Sequence, residues 1–263
     1  MSNNSSHTFA LVTGASSGIG YAFAEQLAKR GYNLLMTSNE EAVHTRAQEI
    51  QTLYPDIKVE SVVMDLGRQR ATRELYEYAH AHEMEVEVLV NNAGVYHDCD
   101  ILDDSEAFTR LIINLHTYTP AMLCYLFGKD MRARHKGYIL NVCSVTDKMA
   151  AQRLGTYGGT KAFLSHFTRA LHIELKPYGV YVTNVRPGAV DTGLYKLSPT
   201  LTKIGKALGI IVKPETLARR GLRALFKGRA KTTIPTVFWQ VLCFLIMLTP
   251  TWLLRLIRKI GWF

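Results

Sequence analysis

The sequence predicts an α/β protein: one doubly wound parallel sheet with helices on both faces, in three α/β/α layers. Three observations support this fold class. Short apolar runs alternate with amphipathic stretches of helical period, a glycine-rich turn joins the first run to the first helical stretch, and no internal repeat or linker divides the chain. A chain of 263 residues is also long enough to bury a large core.

Seven apolar runs are the candidate strands. They cover residues 9–13, 33–37, 59–64, 86–91, 138–142, 180–186 and 232–235. After the first run, Ile19, Phe23 and Leu27 recur on one helical face, and Gly31 marks the end of that helix. We therefore expect a single domain over residues 1–233, followed by an apolar and basic C-terminal extension over residues 234–263.

The turn after the first strand reads Thr-Gly-Ala-Ser-Ser-Gly-Ile-Gly over residues 13–20. Its G-x-x-x-G-x-G spacing differs from the commoner G-x-G-x-x-G pattern of dinucleotide-binding proteins. Even so, strand, glycine turn and helix follow in the order that such a site requires. Glycines let the backbone approach a pyrophosphate, and the helix N-terminus supplies amide donors. We read the turn as a phosphate-binding element.

Tyr157 and Lys161 stand four residues apart, so a helix places both on one face. An ammonium group near a phenol favours the phenolate and is expected to lower the pKa of Tyr157 toward neutral pH. Ser144 follows the apolar run 138–142, where its hydroxyl is placed to hold a carbonyl oxygen across a cleft. The three residues predict a proton-transfer site, although the bare spacing also occurs in helices whose Tyr packs and whose Lys extends to solvent.

These motifs occur in the order and spacing of the short-chain dehydrogenase/reductase family, and the chain resembles a compact single-domain member of it from about residue 9 to residue 192. The resemblance implies a Rossmann fold and hydride transfer between NAD(P) and an alcohol or carbonyl group. It implies that Ser144 holds the substrate oxygen and that Tyr157 donates or accepts the proton. Lys161 would assist Tyr157 and bind the nicotinamide ribose, and Asn114 would hold a water of the proton relay.

The same resemblance implies which residues surround the cofactor. They are Gly14, Ser16, Ser17, Gly18, Ile19, Gly20, Ser38, Asn39, Asp65, Leu66, Asn91, Ala93, Gly94, Tyr157, Lys161, Pro187, Gly188, Val190 and Thr192.

The end of the second predicted strand bears on the choice between NAD and NADP. Ser38 stands at the position where an acid would bind the ribose hydroxyl of NAD, and Asn39 stands where NADP-preferring relatives carry an arginine. Because position 38 is a serine and not an acid, it carries no charge that would repel a 2′-phosphate. Ser17, Ser38 and Asn39 can donate hydrogen bonds to such a phosphate. We therefore expect NADP in preference to NAD.

Residues 193–213 are predicted to form a lid over the cleft. They alternate apolar side chains with lysines, which suits a lipophilic alcohol or ketone. The alternative is that these side chains only pack the lid onto the body of the protein. Steroids, acyl chains and retinoids are equally compatible with this composition.

The basic character of the chain belongs to its last quarter. Residues 1–195 hold 18 Lys/Arg and 21 Asp/Glu, whereas residues 196–263 hold 13 Lys/Arg and a single acid, Glu215. This quarter also contains the most apolar stretch, 234–257, of which 236–249 is shorter than the roughly 20 residues of a membrane-spanning helix. Positive charge beside apolar surface predicts peripheral contact with an anionic membrane.

A subunit interface is the alternative role of this tail, and the resemblance implies a homo-oligomer, either a dimer or a tetramer. Nucleic acid is not expected as a partner, because the aromatic residues of the tail lie in apolar runs rather than among its Lys and Arg.

The four cysteines are widely spaced and predict neither a disulfide nor a metal site, which suits a cytoplasmic protein. Residues 1–8 lack the apolar core of a signal peptide. We expect a cytoplasmic oxidoreductase, located at the cytoplasmic membrane surface if the tail binds lipid. Two other functions remain open: a catalytically silent NAD(P)-binding redox sensor, and a membrane-associated interaction protein.

Overall fold

The computed structural model describes residues 8–148, 152–191, 211–234, 244–245, 248–250, 252–253 and 255–256. The strands are β1 (Thr8–Thr13), β2 (Asn33–Ser38), β3 (Val59–Val63), β4 (Glu85–Asn91), β5 (Gly137–Val142), β6 (Val180–Pro187), β7 (Ala189–Val190), β8 (Ile211–Val212) and β9 (Lys231–Ile234). All seven predicted strands are confirmed, each within one residue of its expected ends.

Seven of these strands form one parallel sheet in the order β3-β2-β1-β4-β5-β6-β9. The chain winds outward from β1 to β3 and then returns to continue from β4 on the other side of β1. The switch point of the sheet therefore lies between β1 and β4, where ligands bind in doubly wound folds. The short strands β7 and β8 pair in parallel as a second small sheet, which follows the end of β6.

The helices are α1 (Gly18–Ala28), α2 (Ala42–Leu53), α3 (Ala71–Ala81), α4 (Glu106–Ile113), α5 (Thr119–Ala133), α6 (Gly155–Leu175) and α7 (Pro214–Phe226). A π-helical turn, Asn114–Tyr118, joins α4 to α5, and a 3₁₀ turn, Val145–Lys148, follows β5. Turns of the π type inside helices are frequent at functional sites.

Two apolar cores lie on the two faces of the sheet, because successive strand side chains point to opposite faces. On one face, Ala10 and Val12 of β1 belong to a cluster with Phe23 of α1 and Leu222 of α7. On the other face, Leu11 of β1 belongs to a cluster with residues of α3 and α5. The three-layer architecture predicted from the sequence is thus confirmed.

A buried polar network ties the centre of the sheet to the helix that carries the predicted catalytic pair. Asn141 of β5 is fully buried, and its Nδ2 donates to Thr168 Oγ1 of α6 at 2.8 Å. Its Oδ1 accepts from Asn91 Nδ2 of β4, also at 2.8 Å. Because buried amides that lose their partners cost free energy, this network fixes α6 relative to β4 and β5.

Most of the predicted lid and tail lie outside the described residues. Of the lid, Ile211 and Val212 form β8 and Lys213 precedes α7, while residues 193–210 are not described. Within the described ranges, no helix combines the length and hydropathy needed to cross a bilayer. In the same ranges, no group of three or more His, Cys, Asp or Glu side chains is arranged to hold a metal ion.

Candidate active site

The glycine turn lies at the carboxyl edge of the sheet, directly after β1. Gly14 has φ +64°, a left-handed conformation that glycine adopts without strain. A Cβ on Gly20 would stand 2.0 Å from the carbonyl oxygen of Gly14, so a side chain at Gly20 would collide with the turn. The side chain of Asn92, at the exit of β4, donates from Nδ2 to the carbonyl oxygens of Thr13 (3.0 Å) and Gly14 (3.1 Å). The turn is therefore held against both α1 and β4.

Thr13 connects the ends of β1 and β4. Its Oγ1 donates to the carbonyl oxygen of Val90 at 3.3 Å and accepts the amide N–H groups of Asn92 (2.9 Å) and Ala93 (3.0 Å). The side chain of Thr13 is 1% exposed, so these bonds form in the core and not at the surface. They set the direction in which the segment after β4 leaves the sheet.

A cleft of about 660 Å³ opens beside this turn. Its walls bring together most of the residues predicted to surround a cofactor: Gly14, Ser16, Ser17, Gly18, Ile19, Ser38, Asn39, Asp65, Leu66, Ala93, Gly94, Tyr157, Lys161, Pro187, Gly188 and Val190. Of the other predicted cofactor residues, Gly20 and Asn91 are not part of its lining, and Thr192 lies outside the described residues.

The cleft fits a dinucleotide on two structural grounds. The turn presents glycine backbone at the cleft wall, where a Cβ at Gly14 would meet Ala93 at 2.9 Å. The N-cap residue of α1, Ser17, makes no side-chain capping hydrogen bond, so its side chain leaves the first amide groups of α1 uncapped. Uncapped helix N-termini bind phosphate groups through their amides and the helix dipole.

Lys161 is the buried cation of the cleft. Its side chain reaches back to the end of β5, where Nζ donates to the carbonyl oxygen of Val142 at 3.1 Å. Burial lowers the pKa of this amine to about 8, although the neighbouring Cys143 thiol acts in the opposite direction. Nζ lies 5.7 Å from the centre of the Tyr157 ring, one helical turn earlier on α6.

Tyr157 is held between two other rings. It is 7% exposed, and the rings of Tyr96 and His116 meet it edge to face at centroid distances of 5.3 Å and 5.6 Å. Ser144, also buried, lines the same cleft at the end of β5, and its Oγ accepts the amide N–H of Thr146 at 3.2 Å. The structure thus brings together Ser144, Tyr157 and Lys161, as the sequence predicts.

His116 is a cleft residue that sequence reasoning missed. It is 1% exposed and lies in the π-helical turn. Its Nε2 accepts the amide N–H of Val95 at 3.0 Å, so Nδ1 carries the hydrogen and donates to Thr160 Oγ1 at 3.2 Å. Thr160 Oγ1 in turn donates to the carbonyl oxygen of Tyr157 at 2.8 Å. Burial, and then the charge of Lys161, lowers the pKa of His116 well below its usual value, which keeps the ring neutral.

Asp147 and Arg186 form a second connection that the sequence did not reveal. Arg186 lies in β6 and Asp147 in the 3₁₀ turn after Ser144. Arg186 Nε donates to Asp147 Oδ2 at 2.8 Å, its Nη2 donates to Asp147 Oδ1, and the two side chains are 10% and 1% exposed. This bidentate pair joins the turn that follows Ser144 to the strand that ends at Pro187.

Asn114 opens the π-helical turn and is partly buried, but it does not line the large cleft. Its role in a proton relay stays a prediction. Behind Lys161 lies a small cavity of about 10 Å³, bordered by His116 and Asn91 among others, which leaves room for about one water molecule. Asn91 Oδ1 is buried there without a hydrogen-bond partner.

Glu40 is another lining residue that the sequence did not single out. It follows Ser38 by two positions, and its Oε2 accepts the hydroxyl of Ser16 at 2.8 Å. A carboxylate therefore lies just after β2, two residues beyond Ser38. The sequence contained a signal for this residue. Glu40 comes twenty residues after the last glycine of the turn, which is the spacing of the acid in dinucleotide-binding folds.

Replacing Asp147 by Ala is expected to destabilise the protein by about 3–5 kcal/mol, because the buried guanidinium of Arg186 would lose its bidentate bonds to this carboxylate. The free energy of unfolding, measured by urea titration, checks this. Asp98→Ala is the matched control, because the pair of Asp98 and Arg153 is about half exposed and should cost about 1 kcal/mol or less. Equal losses in the two variants would contradict the assignment of a buried, structurally important pair.

The buried amine of Lys161 predicts that the unliganded protein gains stability between about pH 8 and pH 10.4. The unfolded chain keeps this proton up to its ordinary pKa of about 10.4, whereas the folded chain releases it near pH 8. The unfolded state therefore binds more protons in this window, and the free energy of unfolding rises with pH, by about 3 kcal/mol at most.

Urea titrations across this window should show a larger gain for the wild-type protein than for Lys161→Met. Comparing the two removes the contribution of other groups that titrate in the same range. Parallel pH profiles would show that Lys161 holds its proton as an exposed lysine does.

Comparison with known proteins agrees with the fold. The family model described as short chain dehydrogenase matches residues 8–200. A very-long-chain 3-oxoacyl-CoA reductase of Coccidioides immitis is 31% identical over 223 residues, which are 83% of this chain and 61% of that protein. One of Coprinopsis cinerea is 33% identical over 244 residues, 88% of this chain and 68% of that protein. The chain thus spans roughly three fifths to two thirds of the length of these relatives.

Among solved structures, a short-chain dehydrogenase from Sphingobium yanoikuyae in complex with NADPH matches with a TM-score of 0.77 at 26% identity, over 89% of this chain and 92% of that one. The family model covers most of the chain, and the resemblance seen in the motifs is confirmed. The chain belongs to the short-chain dehydrogenase/reductase family.

Proposed function

We propose that this chain is an NAD(P)-dependent oxidoreductase that interconverts a carbonyl and an alcohol group on a lipophilic substrate. The observation that carries the proposal is that Ser144, Tyr157 and Lys161 line the same cleft as the glycine turn. A nicotinamide dinucleotide, when bound, supplies or accepts the hydride, and the protein supplies placement and proton transfer.

Each of the three side chains has a distinct role. The hydroxyl of Ser144 accepts one hydrogen bond, from Thr146, and can still donate one. We assign the substrate oxygen as the acceptor of that hydrogen bond. Tyr157 gives its phenolic proton to that oxygen during reduction and takes it back during oxidation. The positive charge of Lys161, 5.7 Å from the Tyr157 ring, stabilises the negative charge that proton donation leaves on Tyr157.

The surroundings of these three side chains keep them in place. Tyr157 is fixed by two edge-to-face rings, and its helical turn is tied through Thr160 to His116. Ser144 is fixed through the buried pair of Asp147 and Arg186 in the following turn. Such preorganisation lets proton transfer proceed with little rearrangement of the site.

For the substrate we propose a 3-oxoacyl thioester with a long acyl chain. Two relatives are named very-long-chain 3-oxoacyl-CoA reductase, and the predicted lid is rich in apolar side chains with interleaved lysines. Coenzyme A carries several phosphate charges, and the basic last quarter of the chain has the complementary sign.

Turnover assays on carbonyl compounds, followed by the absorbance of NADPH and NADH, test this function. The panel consists of 3-oxoacyl-CoA esters of increasing chain length, steroid ketones and small ketones. Faster turnover of the long acyl esters supports the proposed substrate, and equal rates on small ketones contradict it. Cofactor binding without turnover of any compound would favour the redox-sensor function.

Replacing Tyr157 by Phe should lower kcat by about 10²–10⁴-fold, because the proton donor is removed while the ring and its packing stay. Cofactor affinity, measured by fluorescence titration, should change little. Tyr118→Phe is the matched control, because Tyr118 is 41% exposed and does not line the cleft. A Tyr157→Phe variant with near wild-type kcat would exclude Tyr157 as the proton donor.

We also propose that residues 234–263 contact the surface of an anionic membrane on its cytoplasmic side. The tail carries three basic residues and no acid, and its described residues expose large apolar side chains, among them Leu248, Trp252 and Leu256. Contact with a second subunit is the competing role. Oligomeric state, dimer or tetramer, stays a prediction from the family resemblance.

Co-sedimentation with vesicles of anionic and of neutral lipids tests the membrane contact. The full chain should pellet with the anionic vesicles, and the double variant Trp252→Ser, Leu256→Ser should pellet less, because it loses apolar area at the interface. Ile173→Ser is the control, since Ile173 is a large apolar residue on α6 that is at least about as exposed as those two. Equal pelleting of all three proteins would contradict the proposal.

A further inference from the structure

Three side chains form a closed hydrogen-bonded cluster at the end of β2, where the cleft begins. Ser38 Oγ donates to Ser16 Oγ at 3.0 Å, and Ser16 Oγ donates to Glu40 Oε2 at 2.8 Å. The backbone N–H of Glu40 donates back to Ser38 Oγ at 3.3 Å. Both serines are buried, whereas Glu40 is exposed and faces the cleft.

The direction of these hydrogen bonds decides what the two serines can offer to a ligand at the β2 end of the cleft. Each serine has one hydroxyl hydrogen, and in this cluster both hydrogens point along the chain of bonds toward the carboxylate of Glu40. Ser38, which the sequence offered as a donor to a phosphate, is therefore already engaged. A phosphate placed here would have to break the cluster before it could accept a hydrogen bond from either serine.

The charges along the cleft are divided between its two ends. Among the described lining residues, the charged side chains are Glu40, Asp65 and Lys161. Lys161 lies at the catalytic end, where Nζ bonds the end of β5. At the end near β2, Glu40 and Asp65 are both acids, and no described lysine or arginine borders the cleft there.

In dinucleotide-binding folds the end of the second strand meets the adenosine ribose, and an acid about twenty residues after the glycine turn hydrogen-bonds its 2′-hydroxyl. Glu40 occupies this spacing. A carboxylate accepts a hydrogen bond from a hydroxyl, whereas it repels the negative charge of a phosphate at the same place. NAD carries a hydroxyl at this 2′ position, and NADP carries a phosphate there.

We propose that Glu40 is a specificity-determining residue, whose carboxylate disfavours the 2′-phosphate of NADP(H) and thereby sets the ratio of affinities for the two cofactors. The inference rests on the proposed function, because it requires a dinucleotide in this cleft. It concerns the ratio, so it holds whichever cofactor the wild-type protein binds more tightly. Ser16 and Ser38 act through Glu40 by holding its carboxylate at the cleft wall.

Fluorescence titration of NADPH and NADH with the variant Glu40→Gln tests the proposal. The substitution keeps the size of the side chain and an oxygen for Ser16, but it removes the charge. The Kd for NADPH relative to that for NADH should fall by about tenfold, the change expected on losing one like-charge repulsion near a protein surface. NADH itself should bind equally well or more weakly.

Glu41→Gln is the matched control. Glu41 is the next residue, its side chain is 85% exposed and faces His44, and it does not line the cleft. An unchanged ratio in Glu40→Gln, or the same change in both variants, would overturn the proposal. Failure of the wild-type protein to bind either cofactor would instead overturn the proposed function, and the inference with it.

Ionic strength provides a second, mutation-free measurement. Added salt screens charge repulsion at an exposed carboxylate, so the NADPH-to-NADH ratio of Kd values should decrease with salt in the wild-type protein more than in Glu40→Gln. The same salt dependence in the two proteins would count against Glu40 as the source of discrimination.

Discussion

The hydrogen bonds of Thr13 hold β1 and β4 together at the point where their backbones part. One buried hydroxyl bonds the carbonyl of Val90 and the amides of Asn92 and Ala93, so both sides of the switch point keep a fixed geometry. The glycine turn leaves on one side and the segment after β4 leaves on the other. The cleft forms because these two segments diverge from the hydrogen-bonded ends of β1 and β4, as expected at the switch point of a doubly wound sheet.

The helix that carries Tyr157 and Lys161 is connected to the segment after β4 by a chain of hydrogen bonds. The segment after β4 reaches His116 through the amide of Val95, and His116 reaches α6 through Thr160. A neutral imidazole suits this place because one ring nitrogen must accept a hydrogen bond and the other must donate one. The pKa of His116, lowered by burial, ensures that form. The position of Tyr157 thus depends on residues from three separate elements.

Charge divides the cleft into two unlike ends. The amine of Lys161 is buried against β5, and burial lowers its pKa to about 8. Its positive charge therefore costs free energy in the folded protein and interacts strongly with charges nearby. Glu40 and Asp65 give the opposite sign to the end near β2. A ligand that spans the cleft therefore meets attraction for negative charge at one end and repulsion at the other. This asymmetry is the basis of the proposal that Glu40 sets the ratio of affinities for the two dinucleotides.

The sequence by itself determined the seven strands of the main sheet, the glycine turn and the shared helical face of Tyr157 and Lys161, because each follows from periodicity or from residues a few positions apart. Only the tertiary structure decided which distant groups complete the site. Ser16 meets Glu40 across 24 positions, Asp147 meets Arg186 across 39, and His116 meets Thr160 across 44. No local pattern encodes such pairs, since each joins residues of separate elements that come together only when the chain folds.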